Sequence, residues 1–185
     1  MAASLESEWI EKIRYGDPQA FACLFKAYCQ PLINFARRFI TDTPTAENIV
    51  QDVFVKIWSM RQELNPGLNV KCYLYTAVRN NALKQLRHQA VVRQSVDKWS
   101  PAGSDSITPE DHVIEKEFVD AVRLAVAQLP EKCRIIFAMN RYDQLSYQEI
   151  AEIQKISIKT VETQMSRALK FLRKRLIHFL TTFPL

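Results

Sequence analysis

The sequence predicts an all-α protein with two small helical domains, and three observations support that fold class. Apolar residues recur at intervals of three and four along almost the whole chain, while the alternating runs typical of half-buried strands are nearly absent. Prolines stand at positions 18, 44, 109 and 130, where the first turn of a helix has no partner for its backbone N–H. From about residue 91 to residue 109 the periodicity gives way to Ser, Pro, Gly and Asp, a composition typical of linkers.

These observations divide the chain into a first domain over residues 1–90, a flexible linker over 91–109 and a second domain over 110–185. Each domain contains one basic stretch on a predicted helix. Residues 71–98 hold six Lys or Arg against one Asp, and residues 155–175 hold seven against one Glu. A single charge run is commonly a solvated face, but two such helices favour an anionic partner.

Residues next to the prolines mark where helices begin. Asp17, Thr43 and Thr108 are predicted N-cap residues, because their side-chain oxygens can accept a backbone N–H of the first turn. Pro31 is the exception, since it falls inside an apolar stripe of helical spacing. We expect the helix to kink or break there.

Composition excludes several classes of function. Only three glycines occur, which rules out the Gly-rich phosphate loops of Rossmann and P-loop enzymes. The three histidines and four cysteines lack metal-binding or C-x-x-C spacing, so we expect no metal, no cofactor and reduced thiols. No signal sequence or membrane-spanning stretch is evident, and we expect a soluble cytoplasmic protein with a net charge of +5.

Residues 145–176 carry the pattern of a helix-turn-helix. Ser146 and Glu149 form an S-x-x-E capping box, a turn follows at 154–156, and Ser157 is a second N-cap candidate. Lys155 is unusual, because this turn often holds a Gly that tolerates positive φ. The second helix has an apolar face that should pack against its own domain, consisting of Val161, Met165, Ala168, Leu172 and Leu176.

The opposite face of that helix has the chemistry of a DNA recognition helix. Its first turns would reach base edges in the major groove, and later basic residues would contact phosphates. A plain amphipathic hairpin is the alternative. The candidate DNA-binding residues are Ser157, Lys159, Thr160, Thr163, Ser166, Arg167, Lys170 and Lys174, with Arg173 as a further phosphate contact.

Residues 43–61 predict a helix with two different faces. One face is apolar and should be buried. The other places Val55 and Trp58 beside Glu47, Gln51 and Asp52, and exposed apolar residues among acidic and amide side chains suggest a protein-docking patch. Trp58 could instead close the local core.

Residues 69–89 predict a helix that combines basic side chains with aromatic ones. Lys71, Arg79, Lys84 and Arg87 alternate with Tyr73 and Tyr75. Cations that follow a backbone and rings that stack on unpaired bases are the means of holding single-stranded DNA. The tyrosines could also be core residues.

Four stretches in fixed order carry a resemblance to a known family. They are YGDPQAFACLFKAYCQPLINFARRF, AENIVQDVFVKIW, YLYTAVRNNALKQLR and the segment from LPEKCRIIF to LKFLRK. From about residue 14 to 176 the chain resembles bacterial RNA polymerase sigma factors of the extracytoplasmic-function group, in particular SigW- or FecI-like members. The resemblance implies a sigma-2 domain and a sigma-4 domain with no sigma-3 domain between them.

The resemblance also implies partners and residue roles. The partners would be core RNA polymerase, through its beta-prime clamp and beta flap, promoter DNA and an anti-sigma factor. The family's polymerase-docking helix corresponds here to Glu47, Gln51, Asp52, Val55 and Trp58. Recognition and melting of the minus-ten element would fall to Arg61, Asn69, Lys71, Tyr75, Arg79, Asn80, Lys84 and Arg87.

In the second domain, the helix that begins near Ser157 would read the minus-thirty-five element. There Lys159 stands where relatives often have Gly, and Glu162 where they often have a basic residue. Promoter preference therefore cannot be copied from the family.

The resulting prediction is a promoter-specificity subunit that catalyses no covalent chemistry. A free-standing helix-turn-helix regulator with an N-terminal sensing or dimerising domain is the alternative, although no dimerisation helix stands out. An enzyme is disfavoured because no paired carboxylates, metal cluster or activated nucleophile is evident. A purely structural interaction protein would leave the two basic helices unexplained.

Overall fold

Every regular element that the computed structural model describes is helical, with no strand in residues 5–65, 67, 69–93 and 113–182, and the all-α prediction is confirmed. Side chains are described as far as residue 89 in the first part and over 119–177 in the second. The elements in order are α1 (Leu5–Arg14), α2 (Pro18–Ala36), α3 (Thr43–Ser59), a short 3-10 helix (Arg61–Glu63), α4 (Val70–Arg93), α5 (Val113–Ala127), α6 (Glu131–Arg141), α7 (Tyr147–Gln154) and α8 (Ile158–Thr182).

Contacts divide the chain into an N-terminal unit within residues 1–101 and a C-terminal unit within residues 102–185. Helix α4 continues to Arg93, so the first three residues of the predicted linker 91–109 are helical. The rest of that linker and the predicted N-cap Thr108 lie outside the described residues.

Three of the four helix starts marked by proline lie in the described residues. Pro130 directly precedes α6 as its N-cap rather than lying in its first turn. Asp17 caps α2 as predicted, since its Oδ1 accepts hydrogen bonds from the backbone N–H of Gln19 at 2.8 Å and of Ala20 at 3.3 Å. At α3 the predicted cap Thr43 is wrong. Asp42 has the extended backbone of a cap and accepts from the N–H of Thr45 at 2.9 Å, while Thr43 is already helical.

Pro31 does not break its helix. Helix α2 runs without interruption from Pro18 to Ala36 and includes Pro31, so the predicted break is wrong. Proline removes one backbone hydrogen bond, but buried side chains before and after it, including Tyr28 and Leu32, hold the helix against the core.

The core of the N-terminal unit is built around α2, which packs against α1, α3 and α4. The predicted apolar face of α3 is buried, and rings from α2 meet it there. Phe25 packs edge-on against Phe54 with 4.9 Å between centroids, and Phe21 lies 5.0 Å from Trp58. The buried α3 residues are Ala46, Ile49, Val50, Val53, Phe54 and Ile57.

The core of the C-terminal unit forms where α5 and α6 pack against α8. Its buried cluster consists of Ala125, Val126, Leu129, Cys133, Phe137, Met165, Ala168 and Leu172. Across the described part of the chain, no helix is long and apolar enough to cross a membrane.

The four cysteines are free thiols. Cys72 and Cys133 are buried, Cys29 is half-buried and Cys23 is exposed. Desolvation raises the pKa of the Cys29 thiol. Two of the four thiols are therefore in the core, and two are at or near the surface.

Candidate functional site

The helix-turn-helix of the C-terminal unit begins with the predicted capping box. Ser146 Oγ accepts from the backbone N–H of Glu149 at 3.2 Å, and Glu149 Oε2 accepts from the N–H of Ser146 at 2.8 Å. Helix α7 then ends at Lys155, which has φ 55° and ψ 47°. The turn therefore does require the left-handed conformation, and a lysine adopts it where a glycine would be unstrained.

The start of α8 is fixed by two hydroxyls that had been assigned to DNA. Ser157 Oγ accepts from the backbone N–H of Thr160 at 3.1 Å, and the hydroxyl oxygens of the two residues are 2.8 Å apart. This is the geometry of an N-cap, and it sets where the helix begins. Both residues are also exposed.

Helix α8 packs against its unit through one face. Val161, Met165, Ala168 and Leu172 are buried, and Leu176 lies half-buried against the same cluster, as the spacing predicted. The other face is open to solvent because the packing of this helix is one-sided.

Six side chains of the open face border one shallow, solvent-open groove along α8: Lys159, Glu162, Thr163, Ser166, Arg167 and Lys170. All six are exposed, as are Arg173 and Lys174 further along the helix. Thr163 Oγ1 donates to the carbonyl of Lys159 at 2.8 Å, and Lys159 Nζ lies 3.6 Å from Glu162 Oε2. The spacing thus predicted the members of this groove except Glu162.

The exposed face of α3 contains four of the five proposed polymerase-binding residues. Val55 is 67% exposed, with Gln51 and Asp52 one turn before it and Glu47 two turns before it, all exposed. A single exposed apolar side chain is common at protein surfaces, so the docking role of this face rests mainly on the resemblance to the family.

Trp58 is half-buried, and its contacts partly support the alternative that it closes the local core. Its ring packs on Phe21, and the guanidinium of Arg61 lies 5.0 Å from the ring centroid. Arg61 Nη1 also donates to the carbonyl of Trp58 at 3.0 Å. Both residues therefore support the local fold of the N-terminal unit and expose only part of their surface.

The proposed minus-ten residues differ sharply in accessibility. Asn69, Asn80, Lys84 and Arg87 are exposed, while Lys71 and Arg79 are half-buried. Desolvation lowers the pKa of the Arg79 guanidinium. Within the exposed group, Asn69 also caps α4, because its Oδ1 accepts from the N–H of Cys72 at 3.0 Å.

The burial of Tyr75 contradicts the prediction that it contacts DNA. Its ring is 1% exposed and packs edge-on against Phe35 with 5.0 Å between centroids. A ring in the core cannot stack on an unpaired base, so the alternative that tyrosines on α4 are core residues holds here. Tyr73 is half-buried, and its hydroxyl lies 3.7 Å from Met60 Sδ.

A groove between α3 and α4 contains residues predicted to contact two different partners. Asp52 and Lys84 line it together with Ile49, Asn81, Gln85 and His88. Asn81, Gln85 and His88 had not been singled out. Asn81 and His88 lie three and four residues from Lys84, and Gln85 lies four residues after Asn81 and three before His88. This spacing places the residues on one side of α4 and was the available signal.

No group of three or more His, Cys, Asp or Glu within the described ranges could hold a metal ion. The exposed face of α8 is instead mainly cationic and polar, whereas the exposed face of α3 combines acidic and amide side chains with Val55.

Comparison with known proteins identifies the class. Residues 24–91 match the family model of sigma-70 region 2, and residues 120–172 match that of sigma-70 region 4. The chain is 25% identical over 176 residues to the extracytoplasmic-function sigma factor SigW of Bacillus subtilis, covering 90% of this chain and 94% of that one. It is 25% identical to the sigma-E factor of Escherichia coli, covering 86% and 87%.

Two solved structures share the fold. CnrH, in complex with the cytosolic domain of CnrY, superposes with a TM-score of 0.64 at 19% identity over 95% of this chain and 99% of that one. The sigma factor RpoE of Bartonella quintana, in complex with the anti-sigma factor NepR, gives a TM-score of 0.64 at 25% identity over 84% and 96%.

The protein is a two-region transcription initiation factor. It belongs to the extracytoplasmic-function group of the sigma-70 family, and it directs RNA polymerase to promoters. Its macromolecular partners are core RNA polymerase and promoter DNA. Sigma factors as a family are not enzymes.

Proposed function

We propose a division of labour in which α8 reads the minus-thirty-five element, α3 docks on core polymerase and the exposed part of α4 holds melted minus-ten DNA. The domain limits 1–90 and 110–185, joined by the linker 91–109, belong to the same proposal. The protein performs no covalent chemistry of its own and acts in the cytoplasm, where its polymerase is.

The one-sided packing of α8 is the observation that supports this proposal most strongly. Its four buried residues fix the helix on the C-terminal unit, and its opposite face presents cations and small polar groups to solvent. A helix held this way can enter the major groove with its first turns at base edges and later cations at phosphates.

The exposed acidic and apolar face of α3 supports the role in polymerase docking. Asp52 and Val55 are the residues best placed for it, whereas Trp58 and Arg61 contribute mainly through the fold. Asp52→Ala should therefore weaken binding to core polymerase while the protein stays folded.

Glu11→Ala is the matched control for Asp52→Ala, because Glu11 is an exposed acid on α1. Both variants are assayed by native gel shift with core polymerase. Equal holoenzyme formation by the two variants would contradict the docking role.

The exposed end of α4 supports the role in promoter melting. Lys84 and Arg87 follow one another at helical spacing on the solvent side, close to Asn80. Their cations can track the backbone of a displaced strand. Tyr75 is left out of this set, and Arg79 is half-buried, so the tests use Lys84 and Arg87.

The combined change Lys84→Ala and Arg87→Ala should reduce open-complex formation more than closed-complex binding, because the strand they hold exists only after melting. Permanganate footprinting measures the first and gel shift the second. Lys26→Ala, an exposed cation on α2, is the control. Equal losses in both assays would show that these cations act before melting.

We also propose an anti-sigma factor as a partner. The solved structures of CnrH with the cytosolic domain of CnrY and of RpoE with the anti-sigma factor NepR support this step. The exposed α3 face is the surface that such a partner would cover to block polymerase binding.

The decisive test is in vitro transcription with core polymerase on a promoter library. A sigma factor confers defined start sites that neither core polymerase nor this chain produces alone. Tight binding to an operator without polymerase, and no start-site selection with it, would support a free-standing regulator.

A further inference from the structure

One side chain on the open face of α8 has a charge opposite to that of its neighbours. Glu162 is the single acidic residue in this 25-residue helix, which has six Lys or Arg. It nevertheless lines the same groove as Lys159, Thr163, Arg167 and Lys170. A carboxylate that faces the phosphates of DNA is repelled by them, so its position in a DNA-binding groove needs a reason.

Helix stability does not supply that reason. The Lys159–Glu162 pair is separated by 3.6 Å, with 87% and 48% of the two side chains exposed. Exposed ion pairs contribute little because water screens them. Lys159 also precedes Glu162 in the helix, and a pair with the basic residue first is less stabilising than one with the acidic residue first.

The hydroxyl groups near Glu162 already form hydrogen bonds on the helix. Thr163 donates its hydroxyl hydrogen to the carbonyl of Lys159, and the hydroxyls of Ser157 and Thr160 bond to each other. These hydroxyls already have partners on the helix, whereas the side chains of Lys159 and Glu162 are 87% and 48% exposed. The first turns of α8 thus offer the DNA a strong acceptor, Glu162, directly beside a strong donor, Lys159.

Base edges differ in whether they can satisfy a carboxylate. In the major groove, cytosine N4 and adenine N6 carry amino hydrogens, while guanine and thymine present only acceptors or a methyl group. We propose that Glu162 is a specificity-determining residue, whose carboxylate accepts a hydrogen bond from such an exocyclic amino group and disfavours guanine or thymine at that position.

This inference rests on the proposed role of α8 in reading the minus-thirty-five element. Lys159 has a supporting part, since its ammonium beside the carboxylate offsets the repulsion by nearby phosphates. Glu162 lies outside the set of DNA contacts derived from the resemblance.

The test selects promoters with holoenzyme from a library randomised across the minus-thirty-five element. Wild type, Glu162→Ala and Glu162→Gln are compared with Glu152→Ala. Glu152 is an exposed acid on α7 outside the groove, so its replacement removes the same charge from the same unit. Glu162→Gln keeps a carbonyl acceptor at the position.

Wild type and Glu152→Ala should enrich cytosine or adenine at one position, and the base found distinguishes N4 from N6 as the donor. Glu162→Ala should lower that enrichment about tenfold, with Glu162→Gln between the two. Unchanged enrichment in Glu162→Ala overturns the inference while leaving α8 as the reading helix. No upstream preference in wild type overturns the proposed role of α8 and this inference together.

Discussion

Helices α4 and α8 are the two basic helices of the protein, but they use their surfaces in different ways. Along α8 the buried residues stay on one face, and every DNA-binding candidate on it is exposed. In the first half of α4, Val70, Cys72, Leu74 and Tyr75 are all buried, so the helix is enclosed on several sides. Its exposed cations and amides concentrate after residue 79.

The difference follows from what each helix packs against. Helix α4 contacts α1, α2 and α3, and its first turns run through the core of the N-terminal unit. A helical wheel assumes one buried face, which holds for α8 and fails for the start of α4. On α4, the helical wheel therefore distinguishes core from surface residues correctly only in the part of the helix that has one side open to solvent.

The largest effect is expected from Tyr75→Ala, which tests whether the first half of α4 is core. Removing a ring that is 1% exposed and packed on Phe35 should lower the free energy of unfolding by about 3–5 kcal/mol. Urea unfolding followed by circular dichroism measures it.

Tyr15→Ala is the control, because Tyr15 is 86% exposed and its loss should cost under about 0.5 kcal/mol. If Tyr75→Ala instead left stability unchanged and impaired promoter opening, Tyr75 would be a DNA-binding residue after all. The contrast between α4 and α8 would then disappear.

The next effect concerns the open face of α8. Replacing Arg167 and Lys170 by Ala removes two exposed cations from the groove. A plot of the log binding constant against log salt concentration has a negative slope, and each lost phosphate contact should make it less steep by about 0.9. The double variant should therefore have a slope less steep by nearly two units. Stability should not change.

Binding of holoenzyme to promoter DNA at several salt concentrations measures that slope. Lys132→Ala, an exposed cation on α6 outside the groove, should leave it unaltered. A slope that stays constant in the double variant would mean that α8 does not lie against the DNA backbone.

Local side-chain chemistry was the most predictable part of the structure. The capping box of α7 and the cap of α2 were both foreseen, because a short polar side chain and its backbone partner are neighbours in sequence. Lys155 was recognised as unusual for a different reason, because the turn of a helix-turn-helix often holds a Gly that tolerates positive φ, and Lys155 has φ 55°.

Features that depend on distant partners were not predictable in this way. The burial of Tyr75 depends on Phe35, forty residues earlier, and the environment of Trp58 depends on Phe21. The continuity of α2 through Pro31 depends on core contacts that outweigh one missing hydrogen bond. The cap of α3 is a local feature that was nevertheless predicted one residue late, at Thr43 instead of Asp42, because helix starts are uncertain by a residue or two.

A smaller effect is expected from Ser146→Ala, which tests how far α7 depends on its capping box. Loss of the Oγ acceptor leaves the N–H of Glu149 without its partner and should cost about 1 kcal/mol. Thermal unfolding measures the change. Ser166→Ala removes a hydroxyl from the α8 groove and should alter DNA binding with little effect on stability; an equal stability loss in both variants would contradict this separation of roles.

Effects of about 1 kcal/mol or less are also expected at two positions of positive φ that follow helices, Gly16 and Lys155. Gly16 has φ 85° after α1, and Lys155 has φ 55° after α7. A Cβ at position 16 would lie 3.9 Å from Arg61 Nε, an ordinary contact, so Gly16→Ala should cost about 1 kcal/mol from backbone strain alone.

Lys155→Gly should relieve the corresponding strain, but the added freedom of the unfolded chain offsets part of the gain, leaving about 0.5 kcal/mol. Lys155→Ala keeps a Cβ and should show no gain in thermal unfolding. Equal stabilisation by Gly and Ala would place the cost of Lys155 in its side chain rather than in its backbone.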